Sequence, residues 1–274
     1  MALAHTILQQ LEDQGFAVIR DFITAQQLEE LRRESEILYE LAAEGSHRDA
    51  SPWGASDSTG SCIYEAVPAP LCTPTTRAGY DAYKLARTRQ PLGPGVWQIV
   101  FETQLPELIV ALLGPGAVLY NDQYIIKPPL SPLSSFRWHR DSDWCRGSEV
   151  HYQPYISVWV ALDDIQAKPA PAVPALWSVS EAQAAAAAVA AAAAVQEPVA
   201  LCVKAGTAIV TRDSVLHCSG ANRSMHSRRA WMPQFSAGPI TWRGTGVPVG
   251  LAISLHPPPG GALAGDRRSI QGTK

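Results

Sequence analysis

Apolar positions recur at helical spacing near the N-terminus and at strand spacing over most of the remaining chain. Ala4 to Gln14 predicts a short helix, and Phe16-Ala17-Val18-Ile19 a strand that opens the fold. Thr24, with Gln27 three residues on, forms a capping box for a second helix that carries Leu28, Leu31, Leu38 and Leu41 through Glu44. Glu29, Glu30, Arg32, Arg33 and Glu34 read as its solvated face. Val96 to Phe101 predicts a strand, Leu105 to Leu113 a helix, and Ala117 to Ile126 a longer strand that Lys127-Pro128-Pro129 stops. Tyr155 to Leu162 alternates, with Ile156, Val158, Val160 and Leu162 on one face and Tyr155, Ser157, Trp159 and Ala161 on the other, as in a central strand. Val199 to Val203 and Thr207 to Thr211 read as strands, and Trp231 to Ser236 extends one begun at Arg228. Many short strands behind N-terminal helices predict a mainly β fold, a barrel or sandwich with flanking helices.

The pattern breaks in two places. From Gly45 to Pro94 periodicity fades, and a long irregular stretch carrying Trp53, Tyr64 and Tyr80 is expected to cover a substrate. Ala182 to Val195 is nearly all alanine, which predicts an inserted surface helix over 180–197. The glycine- and proline-rich tail from Gly238 reads as edge or surface structure. At 274 residues one domain spanning 1–274 is expected.

A net charge of −3 argues against a nucleic-acid partner. The absence of a long apolar run argues against a membrane one, and no obligatory protein partner is evident. No signal segment is recognised and the final tripeptide is not a peroxisomal address, so the cytoplasm is expected. Five cysteines without paired spacing suggest reduced thiols.

The chemistry concentrates in Phe136-Arg137-Trp138-His139-Arg140-Asp141 and, farther along, Leu216-His217-Cys218-Ser219-Gly220. On a strand, His139 and Asp141 project to the same side and Arg140 to the other, so both can serve one metal, with His217 supplied by another strand. Two histidines and one carboxylate on one side of an ion leave open positions, the ligand pattern of a non-haem Fe(II) oxygenase. Arg137, Arg140 and Arg146 near the motif favour a small anionic substrate. His151 lies outside the pattern and reads as an ordinary loop histidine. Asn121, Gln123 and Ile125 share one face of their strand, where an amide could face the site.

These segments, in their order and spacing from residue 7 to about 236, resemble the phytanoyl-CoA dioxygenase family of 2-oxoglutarate-dependent oxygenases. The carrying stretches are Gly15-Phe16-Ala17-Val18-Ile19-Arg20, Ile126-Lys127-Pro128-Pro129, Trp138-His139-Arg140-Asp141, Val158 to Asp164, His217 to Ser224 and Arg228-Arg229-Ala230. The resemblance implies a double-stranded β-helix, or jelly-roll, core. It implies Fe(II) held by His139, Asp141 and His217, with 2-oxoglutarate and O2 as cosubstrates. Arg228 would grip the far carboxylate of 2-oxoglutarate with help from Ser219; Gln123, or Asn121 two residues away, would contact the cosubstrate; and Trp159 would line the pocket. The implied reaction hydroxylates a small organic substrate with release of succinate and carbon dioxide. The carboxylate of Asp141 argues against halogenation, for which a relative vacates that ligand position; desaturation, ring closure and epoxidation use the same ligands and stay open.

The chain departs from the family at 168–178, where an Asn-Gly turn and a Pro-Gly-Ser-His run are replaced by proline, alanine and Trp177-Ser178. The acyl-CoA substrate is therefore not carried over. A noncatalytic metal- or ligand-binding jelly-roll and a zinc hydrolase are the alternatives; the latter gives Arg228 no task.

Overall fold

The computed structural model describes residues 2–43, 63–64, 76–89, 95–145, 149–165, 177–179 and 199–255. The alanine-rich helix expected over 180–197, Arg146, and most of the stretches at 45–94 and 168–178 lie outside the described residues.

Helix α1 (Ala2–Gln14) leads into strand β1 (Phe16–Ile19), and α2 (Ala25–Ala43) follows. The Thr24 capping box forms in both directions: the Gln27 amide donates to the Thr24 hydroxyl at 3.2 Å, and the Thr24 amide to the Gln27 side chain at 2.9 Å. Glu34 is not on a solvated face. It is 1% exposed and accepts a hydrogen bond from the Tyr124 hydroxyl at 2.9 Å, because α2 packs its polar flank against the sheet as well as its leucines.

Two other expectations are corrected. Within the stretch read as irregular, after the short strand β2 (Ile63–Tyr64), lies a twelve-residue helix α3 (Arg77–Thr88), started by Thr76 accepting from the Gly79 amide. Val96 to Phe101 belongs to helix α4 (Gly95–Phe101), not to a strand. Its buried residues Val96, Ile99 and Val100 fall at helical spacing, and packing against α2 and α5 (Leu105–Leu113) overrides the β-branched composition.

The remaining strands complete two larger antiparallel sheets and form a two-stranded one. They are β3 (Val118–Lys127), β4 (Phe136–His139), β5 (Val150–His151), β6 (Tyr155–Ala161), β7 (Trp177–Val179), β8 (Val199–Ala200), β9 (Ala208–Arg212), β10 (Leu216–Ser219), β11 (Arg228–Ser236), β12 (Thr241–Trp242) and β13 (Ile253–Ser254). Of the strand expected from Val199 to Val203, only Val199–Ala200 forms ladder bonds. The larger sheet runs β1-β9-β6-β11-β3-β13, with β2 also on β3; the smaller of the two runs β4-β10-β7-β8, and β12 pairs with β5. This is a jelly-roll, as the sequence predicts.

Alternation divides the larger sheet by chemistry. Its outer face, with Ala17, Val158, Val160, Val210, Tyr124 and Trp231, packs on the N-terminal helices as the main core. Its inner face carries Ser157 and Trp159 of β6, Asn121 to Lys127 at every second position of β3, and Arg228 to Gln234 likewise on β11. That polar face looks toward the smaller sheet and positions the site.

At the end of the barrel away from Lys127, Gly250 lies against β3. A Cβ placed there would sit 2.6 Å from the Tyr120 carbonyl oxygen, which already accepts from the Leu251 amide. Gly250→Ala should therefore cost about 1–3 kcal/mol through overpacking. Gly244→Ala, which meets nothing within 4 Å, should cost less. Equal shifts in thermal unfolding for the two variants would contradict the contact.

Candidate metal and cosubstrate site

Strands β4 and β10 pair antiparallel with His139 opposite His217. The two rings stand 4.3 Å apart between centroids. Each imidazole is oriented by the backbone two residues before it: His139 Nδ1 lies 2.7 Å from the Arg137 carbonyl, and His217 Nδ1 lies 3.0 Å from that of Val215. A carbonyl only accepts, so Nδ1 carries the proton and Nε2 presents its lone pair. Both Nε2 atoms turn toward Asp141, whose Oδ1 is 3.8 Å from His139 and 3.5 Å from His217. Burial, and then the neighbouring His217, lower the His139 pKa, which favours the neutral imidazole that a metal needs.

Strand alternation does not bring Asp141 to this place. Strand β4 ends at His139, and Asp141 opens a 3₁₀ turn, Asp141–Cys145. The turn is pinned by the Arg140 amide donating to Asp143 at 2.8 Å and the Ser142 amide donating to the Asp213 carbonyl at 3.0 Å. Arg140 is thereby turned away, its Nε donating to the Ser214 carbonyl at 3.1 Å. Arg137 is exposed, and so is His151, which lies on the short strand β5 instead of in a loop. Nearby, burial and then the charge of Asp141 push the Asp213 carboxyl up to about 7.

The second oxygen of Asp141 faces the larger sheet. It accepts from the Ser157 hydroxyl at 2.6 Å; Gln234 donates to Ser157 at 3.0 Å, and Asn121 to Gln234 at 3.0 Å. The ladder dictates this row, since Gln234 pairs with Ser157 on one side and Asn121 on the other. Asn121 thus supports the carboxylate. Neither Ser157 nor Gln234 was singled out in the sequence; the available signal was a polar residue at an inward position of an otherwise apolar strand.

A pocket opens beside the two histidines, lined by Phe136, Trp159, Ser219, Lys127 and Arg228 among others. Trp159 also packs on the small cluster around Phe16, Leu201 and Ile209. Arg228 lies on the inner face of β11 and donates to the Gly220 carbonyl. Arg229, on the other face, is held by both oxygens of Asp163 and by Glu36, its side-chain contacts running from 2.8 to 3.0 Å. Ile125 and Lys127 line the pocket from β3, whereas Gln123, half-buried on the same face, is not among the lining residues. The sequence marks Lys127 as a strand stop and as part of the Ile126–Pro129 stretch that carries the resemblance, and the structure brings its side chain to the pocket wall.

Among the described residues, His139, Asp141 and His217 form a candidate metal cluster, one ligand atom from each lying within 4.8 Å of the others. Two imidazole nitrogens and a carboxylate, with a lined pocket beside them, fit a non-haem iron site.

A search of curated proteins returns no match. Solved structures similar in fold include the non-haem α-ketoglutarate-dependent carbocyclase SnoK from nogalamycin biosynthesis, at TM-score 0.60 and 18% identity, covering 87% of this chain and 85% of that one. The epimerase SnoN, in complex with Fe3+, α-ketoglutarate and nogalamycin RO, matches at TM-score 0.56 and 15% identity over 94% of this chain and 97% of that one. EctD from S. alaskensis, with 2-oxoglutarate and 5-hydroxyectoine, matches at TM-score 0.59 and 16% identity over 89% and 82%. At these identities the likeness is one of fold. The model of the phytanoyl-CoA dioxygenase (PhyH) family matches residues 11–230, a span that holds the three candidate ligands, Ser157, Asn121 and Arg228, and the chain belongs to that family.

Proposed function

We propose that the protein is an Fe(II)- and 2-oxoglutarate-dependent oxygenase that hydroxylates a small organic substrate with release of succinate and carbon dioxide. The observation that carries this reading is the junction of the His139, Asp141 and His217 cluster with a pocket lined by Ser219, Lys127 and Arg228. Bound iron, with oxygen and 2-oxoglutarate, supplies the oxidising chemistry. His139, Asp141 and His217 hold the ion from one side. Arg228 neutralises the far carboxylate of 2-oxoglutarate by a charge-assisted hydrogen bond, the Ser219 hydroxyl donates to the same group, and Phe136 and Trp159 shield it from water. Structures of this fold include a carbocyclase and an epimerase, so the fold does not select the reaction; the carboxylate-bearing ligand set argues against halogenation, and hydroxylation is proposed from the family resemblance. With Arg140 tied to Ser214 and Arg137 exposed, an anionic substrate would draw little from these two arginines.

Anaerobic addition of Fe(II) and 2-oxoglutarate to the purified protein should produce the weak visible charge-transfer band of the chelate. The band should vanish in His139→Ala and weaken in Arg228→Ala. Its absence from folded, iron-loaded wild type would overturn the reading.

A further inference from the structure

Three polar side chains cross the inner face of the larger sheet in one row and end at Asp141: Asn121 of β3, Gln234 of β11 and Ser157 of β6. Gln234 is 5% exposed and Ser157 1%, so their bonds come from neighbours and not from water. Donor counting gives the row one direction. A carboxylate only accepts, so the single Ser157 proton goes to Asp141 Oδ2. Ser157 Oγ must then accept from Gln234, which turns the Gln234 amide nitrogen toward Ser157 and its carbonyl oxygen toward the Asn121 amide. The Gln234 nitrogen also stands 3.5 Å from Oδ2 itself. Were the Gln234 amide reversed, its oxygen would draw the Ser157 proton away and leave Oδ2 facing a lone pair instead of a proton. An amide has the fixed acceptor and fixed donor that this place requires; an ionised carboxylate of the same shape has only acceptors.

We infer that Gln234 and Ser157 are positioning residues for the metal centre: Gln234 commits the Ser157 proton to Asp141 Oδ2, which ties that oxygen to the sheet and leaves Oδ1 alone to meet the ion. The inference rests on the metal reading above. Oδ1 is the oxygen toward which both histidine Nε2 atoms turn, so the three ligand atoms converge while Oδ2 is held apart. Carboxylates bind metals through one oxygen or through both. With one, Asp141 leaves about three positions of an octahedral ion open; with both, it would close one of them. The row therefore sets how many places remain for a chelating cosubstrate and a further ligand.

The test counts exchangeable waters on the Mn(II)-loaded protein by frequency-dependent water-proton relaxation, without cosubstrate. Wild type should hold about three. Gln234→Glu, ionised at about pH 8, accepts at both ends, takes the Ser157 proton and releases Oδ2 to the ion, so the count should fall by about one, or about a third of the relaxation enhancement. Ser157→Ala removes the proton outright and should lose the same water, whereas Ser157→Thr, which keeps a hydroxyl, should retain it; this pair decides the matter even if Gln234→Glu does not fold. Lost packing alone would lower thermal stability and leave the water count where it was. A wild-type count of about two, or an unchanged count in either folded variant, Gln234→Glu or Ser157→Ala, would overturn this inference alone. A folded wild type that binds no Mn(II) would overturn the metal reading with it.

Discussion

Asp141→Ala should leave the purified protein without stoichiometric iron after dialysis and lower 2-oxoglutarate-dependent succinate release by more than about 100-fold. The bound is set by comparison, since altering groups that merely support metal ligands already costs about 10–100-fold. Asp141 is the one anion of the set, and both Nε2 atoms point toward its Oδ1. Ser157→Ala tests the layer behind it. Removing a donor 2.6 Å from the second carboxylate oxygen should weaken iron binding about tenfold, at the lower end of that range. The apo folds of both variants should survive, because the helices pack on the opposite face of the sheet. Iron retained at full stoichiometry by Asp141→Ala would exclude this carboxylate as a ligand.

How much of this was legible in the sequence depended on whether the signal was local. Tyr155 to Leu162 alternates because one side meets helices and the other a polar cavity, so its faces could be read directly, as could the shared face of Asn121, Gln123 and Ile125; residues 228–236 read as a strand without their faces. His139 and Asp141 were found as a pair for an incomplete reason. Their spacing fits a strand, yet a turn held by Asp143 and the Asp213 carbonyl swings the carboxylate into place. Val96 to Phe101 misled because β-branched residues at helical spacing can be told from a strand only by what they pack against. The supports of Asp141 and the place of Lys127 in the pocket wall depend on strand register and on a neighbouring turn, which residue types alone do not encode. Arg228 and Arg229 make the same point. Adjacent and identical, they go to a pocket and to Asp163 because a strand sends neighbours to opposite faces.

The same alternation gives β3 a second buried charge on its other face, and Lys84→Met should be the most destabilising single change there. Lys84, on α3, is inserted between Asp122 of β3, at 2.8 Å, and Glu34 of α2. Asp122 also accepts from the Tyr80 hydroxyl at 2.7 Å and the Trp231 indole at 2.6 Å. All three charged residues are buried. Removing the cation strands two carboxylates away from water, which costs about 3–5 kcal/mol. Adding Asp122→Asn to Lys84→Met should recover part of the loss, because it is the unpaired charge and not the missing bond that dominates. Burial alone would raise the Asp122 pKa, but the charge of Lys84 and the three donated hydrogen bonds outweigh it and hold the carboxyl below its ordinary value. A folded pKa below the unfolded one stabilises fully above the unfolded value, about 3.9, and is lost as pH falls through the folded one. In Lys84→Met burial is opposed only by the Tyr80 and Trp231 hydrogen bonds, the carboxyl should rise instead, and its penalty disappears once acid protonates it. Denaturant unfolding should therefore show the widest gap between wild type and Lys84→Met near neutral pH, narrowing as pH falls toward about 4, where the raised carboxyl of the variant is protonated, and further below it as wild type loses its own contribution. A gap that stays constant from pH 7 into acid would mean that Lys84 contributes packing and not charge. Because Asp122 and Lys127 share one strand, this network fixes from outside the strand that presents the ammonium within, and holds α3 to the sheet and to α2.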